Sequence, residues 1–177
     1  NNQGARNSLN GALIRSVDED GTEDGTKPLV VNVGSASGSF SATGSGHDHG
    51  IDQIVGLDRV GHEYIFVRGN GQNLNDGGQL ETPLIISTKD NTHLYINGST
   101  TATATIDAGD IWLATSDLWS SQNQGATMYI RTQDKNYPVY AYQGIAGNGD
   151  SEANQGMFFV PPISEDANDD VNNIPDI

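Results

Sequence analysis

A chain of 177 residues with a formal charge of -15, from 8 Lys and Arg against 23 Asp and Glu, fits one domain whose field repels nucleic acid and anionic membranes. Its lack of cysteine excludes thiol chemistry and disulfides, and no apolar run is long enough to span a membrane as a helix. With 22 glycines and no sustained apolar repeat at helical spacing, the sequence predicts an all-β fold with little or no helix.

Residues 1–28 are predicted to be a polar linker or leading edge segment, and a start at Asn1 without Met suggests a piece of a longer chain. An acidic, glycine-punctuated run over residues 18–25 contains Asp18, Asp20 and Asp24, whose carboxylates are the ligands that Ca²⁺ prefers. The spacing does not follow the EF-hand pattern. A solvated loop is therefore the alternative to a calcium site.

The next strands alternate with turn signals about every ten residues, which is typical of an antiparallel β-sandwich of the immunoglobulin-like or jelly-roll-like kind. A buried strand is predicted at 29–33, a small-residue edge strand at 39–42 and a central strand at 64–67. Further strands are predicted at 83–88, 93–96, 100–106, 111–114, 126–130, 138–142 and 157–160. The sandwich is expected to occupy residues 29–163.

The stretch 82–109 is predicted to organise the core as a three-stranded antiparallel meander. Lys89-Asp90-Asn91 has turn chemistry, and Asn97-Gly98 is a strong hairpin signal. Alternation within the strands predicts buried side chains from 64–67, 84–86 and 139–142, with Ile65 and Ile86 among them. Residues 154–162 are expected to cross the end of the sandwich.

Two further acidic segments are candidate calcium loops, and calcium is the one cofactor the composition suits. The loop 69–78 offers Asn73, Asn75 and Asp76, with a plain flexible loop as the alternative. Residues 164–177 are predicted to be an acidic linker to a following module, and the segment's candidate ligands are Asp166, Asn168, Asp169 and Asp170.

No arrangement of residues in the sequence indicates catalysis, since no nucleophile motif occurs. His47 and His49 stand two residues apart and share one side of an extended segment, so Asp52 or His62 would be needed to complete a zinc site. A chance occurrence is the alternative. Asp48 and Asp52 flank a glycine and are expected to pin a loop by accepting backbone N–H bonds.

Three aromatic residues are candidate ligand contacts: Trp112, Trp119 and Tyr142. Trp119 either caps the core or stands at a contact surface. Exposed rings beside a metal would favour a ligand-binding module, whereas buried tryptophans would favour a structural module of a stalk.

Several motifs, in one order, resemble the IgGFc-binding-type repeat of very large secreted proteins, in the version found in gliding bacteria. They are GHDHGIDQI (46–54), GHEYIFV (61–67), DNT and ING (90–92 and 96–98), AG (108–109), VYAYQG (139–144) and NQGMFFVPP (154–162). His47 stands where the family has Arg, which puts a salt bridge there in doubt. Glu165 stands near where a Cys often follows the prolines, which removes a covalent tie.

The resemblance implies a non-enzymatic extracellular module of a large adhesin or surface filament, exported by type IX secretion and acting in cell-surface attachment. Residues 171–175, VNNIP, match the segment that leads such a unit into the next sandwich. Expected partners are neighbouring sandwich modules, a homo-oligomer as a further option, and an external ligand, but neither nucleic acid nor a membrane interior. A calcium-assisted carbohydrate- or peptide-binding module is the alternative.

Overall fold

The fold is built from short antiparallel strands, as the glycine-punctuated alternation predicts. The computed structural model describes residues 12–38, 48–69, 81–145 and 156–163. Within these ranges the strands are β1 (Val31–Gly38), β2 (Asp48–Ile54), β3 (Glu63–Val67), β4 (Pro83–Ser87), β5 (Thr92–Ile96), β6 (Ala104–Ile106), β7 (Ile111–Leu113), β8 (Thr127–Arg131), β9 (Val139–Ile145) and β10 (Gly156–Phe159). The helical residues there are two single 3₁₀ turns, Leu57–Arg59 and Ser116–Leu118.

Two four-stranded sheets form the sandwich. Sheet A has the order β3-β8-β5-β6, and sheet B has the order β10-β9-β4-β7, with every pairing antiparallel. A separate two-stranded ribbon pairs β1 with β2. The predicted all-β antiparallel sandwich is confirmed.

The core lies between the two sheets and is filled by alternate residues of each strand, because side chains of a strand point to opposite faces in turn. Its buried members are Tyr64, Phe66, Ile85, Leu94, Ile96, Ile106, Ala114, Trp119, Ala126, Met128, Ile130, Val139, Ala141 and Val160. The prediction that Ile65 is a core residue is wrong, since its side chain is 50% exposed. Ile86 is only half-buried, because Ile85 takes the core position of β4.

The predicted three-stranded meander over 82–109 is wrong in its first pairing: β5 pairs with β6 as predicted, but β4 does not pair with β5. The strand β4 belongs to sheet B, where β7 and β9 occupy both of its hydrogen-bonding sides, so β5 pairs in sheet A instead. The chain crosses between the sheets at residues 88–91. There the Ser87 hydroxyl donates to Thr92 Oγ1 at 2.6 Å, and Asn91 adopts a φ of 55°.

The hairpin at Asn97-Gly98 is confirmed. Both residues have positive φ, 50° and 79°, and Ser99 N–H donates to the Ile96 carbonyl at 2.9 Å, as in a type I′ turn. Asn97 also ties the turn to its surroundings, because Oδ1 accepts from Tyr129 N–H at 3.0 Å and Nδ2 donates to the Leu118 carbonyl at 2.7 Å.

Three strand predictions are corrected in position. The first strand begins at Val31 and is not buried, since the ribbon lies outside the two sheets and Val30 is 71% exposed. The strand β3 ends sheet A and is not central, and β10 runs along β9 instead of crossing the sandwich end. The predicted edge strand 39–42 lies outside the described residues.

The chain passes from sheet B to sheet A directly after β10, at residues 160–163. Val160 N–H donates to the Ala141 carbonyl at 2.9 Å in sheet B, and Ile163 N–H donates to the Glu63 carbonyl at 2.8 Å beside sheet A. Pro162 lies against Gly61 so closely that a Cβ at position 61 would collide with its ring. Gly61 therefore permits the chain to close this side of the sandwich.

Candidate functional site

The acidic run forms a small closed turn, which we call the acidic hairpin (residues 15–27). Val17 pairs with Glu23, and Gly21 takes the positive φ of 84° that the tight turn requires. Lys27 Nζ lies 2.8 Å from Asp18 Oδ1 and 2.8 Å from Asp24 Oδ2. An ammonium group thus stands between two of the carboxylates predicted to bind calcium.

The electrostatics of the acidic hairpin follow from these contacts. Hydrogen bonds from Lys27 and Thr26 lower the pKa of Asp24 to about 2, and those to Asp18 and Asp24 raise the pKa of Lys27. The Thr22 N–H lowers the pKa of Asp20. These groups lie at the surface, so solvent screens the pairs and they hold the turn's shape more than they stabilise the fold.

The other calcium candidates, Asn73, Asn75, Asp76, Asp166, Asn168, Asp169 and Asp170, lie outside the described residues. Within the described ranges no three His, Asp or Glu side chains converge in a way that could hold a metal ion. His47 falls outside those ranges, and His49 lies within β2. His62 Nε2 is 3.6 Å from Glu63 Oε1.

The two expected loop-pinning aspartates both lie in β2. Gly50 between them pairs with Ser35, so the chain makes no turn there, and Asp52 pairs with Val33. Asp48 pairs with Gly38, next to a register shift in the ribbon.

None of the three candidate aromatic contacts is an exposed side chain: Trp119 and Trp112 pack at the core, and Tyr142 is buried on the outer face of sheet B. Trp119 is 4% exposed and Tyr142 is 5% exposed, and Trp112 packs against the core with its side chain half-buried. Burial, and secondarily the nearby Asp52 carboxylate, raises the pKa of Tyr142 to about 12. These rings do not form an exposed aromatic platform in this structure.

The residues on the exposed outer face of sheet A were not identified from the sequence as candidate binding residues. The outer face of sheet A, which we call the tyrosine face, carries Glu63, Ile65, Val67, His93, Tyr95, Thr105, Thr127, Tyr129 and Arg131. The Arg131 guanidinium lies over the Tyr95 ring, 4.3 Å from its centroid. The alternation in THLYI and TMYIR puts each tyrosine on one side of its strand, but pairing across strands is needed to bring them together.

Residues from three of the motifs that carry the family resemblance lie together in the fold. Tyr64 accepts from Gly61 N–H at 2.8 Å and donates to the Val139 carbonyl, while Pro162 packs on Gly61. These residues come from three separate motifs and meet at one side of the sandwich. Their shared role is to close the two sheets.

Comparison with known proteins gives one match. A family model described as IgGFc binding protein matches residues 3–176. Searches of curated proteins and of solved structures found no match. Within the described part of the chain, no helix is long and apolar enough to cross a membrane.

Proposed function

The chain belongs to the IgGFc binding protein family, and on this premise we propose that it is a non-enzymatic extracellular module that binds a protein ligand. The observation that carries the proposal is the match over residues 3–176, nearly the whole chain. The family's description names a protein, the Fc part of IgG, as the ligand. We therefore propose that the folded sandwich binds the ligand through its surface.

The fold supports a role in a long surface protein. A two-sheet sandwich closed by Gly61, Tyr64 and Pro162 is a self-contained unit that can be repeated along a chain. In this proposal the module belongs to a very large secreted adhesin or surface filament of gliding bacteria. Neighbouring sandwiches stack into a stalk, and an exposed surface contacts the ligand in cell attachment.

The calcium-assisted alternative rests on the acidic segments outside the described residues. In the acidic hairpin, Lys27 already neutralises part of the charge of Asp18 and Asp24. Calcium would therefore act first at Asp166, Asn168, Asp169 and Asp170, as a clip that stiffens the joint to the next module.

The proposal is tested by direct binding to purified IgG Fc and Fab fragments. We expect saturable binding of the folded chain to immobilised Fc by surface plasmon resonance at physiological salt. Fab is the matched control, because it shares the immunoglobulin fold but lacks the Fc surface. Equal binding to Fab, or no binding to Fc, would remove Fc as the ligand.

A further inference from the structure

We propose that the tyrosine face is the surface that holds the protein ligand and that Arg131, resting on Tyr95, receives a carboxylate of that ligand. The inference rests on the proposed function and assigns it a place in the fold. Its occupant is a folded protein that presents aliphatic side chains around an acidic residue and is neutral or basic as a whole.

The tyrosine face combines exposed aliphatic residues with tyrosines and an arginine, as the centres of protein–protein interfaces do. Ile65 and Val67 are 50% and 52% exposed, and Tyr95 and Tyr129 are half-buried beside them. Ile65 and Tyr129 are direct cross-strand partners, which makes their side chains one continuous patch. Tyrosine and arginine are the residue types that most often dominate the energy of protein interfaces.

Arg131 is held ready for an anion. Its guanidinium stacks on Tyr95, one of its N–H groups donates to the Thr132 carbonyl at 3.2 Å, and it enters none of the ion pairs formed by the described residues. The His93 ring lies edge-on to Tyr95 at 6.4 Å and so helps to fix the platform. A planar guanidinium positioned in this way binds a carboxylate in two parallel hydrogen bonds.

The one carboxylate of the tyrosine face is already engaged. Glu63 Oε1 lies 3.6 Å from His62 Nε2, and the Glu63 carboxylate, after burial, raises the pKa of Tyr129. Glu63 is the direct cross-strand partner of Arg131, but the Arg131 guanidinium rests over Tyr95 on the other neighbouring strand and forms no ion pair with Glu63. Charge complementarity thus favours an acidic residue of the ligand at this point.

The net charge of the whole chain also restricts the net charge of the ligand. A second copy would bring another -15 charge to the interface and would be repelled, so the occupant is not a second copy. The opposite outer face is less open, because Tyr142 is buried there and the Tyr140 hydroxyl donates to the Val55 carbonyl at 2.9 Å. Among the described residues, the outer face of sheet A is the more open side.

The test measures binding to immobilised Fc for two variants of the tyrosine face, Ile65→Glu and Arg131→Gln, and for the control variant Ile111→Glu. Ile111 is the matched control, an isoleucine on a strand of sheet B that is 43% exposed. We expect the first two variants to weaken binding about tenfold or more and the control to bind like the wild type. Arg131→Lys, which keeps the charge but not the planar stack, is expected to fall between them.

Melting curves show which variants remain folded. If the wild type binds Fc and both sheet A variants bind it equally well, the tyrosine face is not the interface, while the proposed function stands. If the weakening is equal for Ile111→Glu, the inference is likewise overturned.

If the wild type does not bind Fc, the proposed ligand fails and the tyrosine face is tested with a small probe. Anilinonaphthalene sulfonate combines flat aromatic rings with an anion. We expect it to shift the amide signals of β3, β5 and β8 in the wild type, and Arg131→Gln to remove those shifts. Shifts confined to other strands, or unchanged in the variant, would contradict the inference.

Discussion

At the scale of single residues, the hydroxyl of Tyr64 links the two sheets by hydrogen bonds. Tyr64 is fully buried in β3, yet its hydroxyl accepts from Gly61 N–H and donates to the carbonyl of Val139 in sheet B. A tyrosine that bonds to backbone a few residues upstream is a known device for fixing a sandwich corner. Burial raises the pKa of Tyr64 above its usual range, so the hydroxyl keeps its proton further into the alkaline range than an exposed tyrosine does.

Tyr64→Phe tests this joint. The change leaves the ring in place but removes the partner of two buried backbone groups, so we expect the free energy of unfolding to fall by about 1–3 kcal/mol in urea denaturation. Tyr95→Phe is the control, because among the described residues the Tyr95 hydroxyl makes one long contact of 3.5 Å with His93, and the change should alter stability by about 0.5 kcal/mol or less. Equal effects in the two variants would contradict the assigned role.

Tyr64 also predicts the alkaline limit of stability. Since its pKa is raised in the folded chain, its contribution is fully present below the ordinary value of about 10 and is lost as the pH rises toward the higher folded value. The wild type should therefore lose stability above about pH 10 more steeply than Tyr64→Phe does.

At the scale of the element, each strand of the sandwich has one face in the core. Whether a residue lies on that face decides how much stability its substitution costs. In β3 the core side belongs to Phe66, which is fully buried, and the outer side to Ile65. Neighbouring residues of the same strand therefore differ in burial although both are large and apolar.

The pair Phe66→Ala and Ile65→Ala measures this difference. We expect Phe66→Ala to cost about 3–5 kcal/mol because it leaves a cavity between the sheets, and Ile65→Ala to cost about 1 kcal/mol or less. Thermal unfolding of the two variants beside the wild type gives the comparison. A larger loss for Ile65→Ala would show that β3 faces the other way.

The acidic hairpin is the second element with a measurable property. The pKa of Asp24 is lowered from its ordinary value of 3.8 to about 2, mainly by Lys27, so the contact supports the turn above about pH 4 and is lost as the pH falls toward 2. Lys27→Gln should raise the Asp24 pKa toward its ordinary value in an NMR carboxyl titration. Arg15→Gln removes only the Arg15–Glu23 pair and should leave the Asp24 pKa in place.

At the scale of the whole molecule, a formal charge of -15 attracts divalent cations, and we propose that calcium bound to the acidic segments stabilises the folded chain. Binding to the folded form alone adds about 2.7 kcal/mol at a hundredfold excess over Kd. We expect calcium to raise the melting temperature of a two-module protein, and Asp169→Ala with Asp170→Ala to abolish the gain. If a chelator leaves the melting curve unchanged, these segments are only solvated surface.

Local signals in the sequence determined the type of fold and several of its elements. Alternation, glycine punctuation and missing helical periodicity predicted the all-β sandwich, and strands over Ile111–Leu113, Thr127–Arg131 and Val139–Ile145 were located to within a few residues. The turn at Asn97-Gly98 was predictable because its positive φ values depend on those two residues alone. The family resemblance was likewise contained in the motifs themselves and is confirmed.

Only the tertiary structure decided which strands pair and which faces are buried. A period of two marks two faces on β3 but is symmetric between them, so it could not choose Phe66 over Ile65. The separation of β4 from β5 depended on β7 and β9, which lie far along the chain and occupy both hydrogen-bonding sides of β4. Arg131 meets Tyr95 for the same reason: sheet hydrogen bonds join strands that are distant in sequence, and local pattern does not specify the partner.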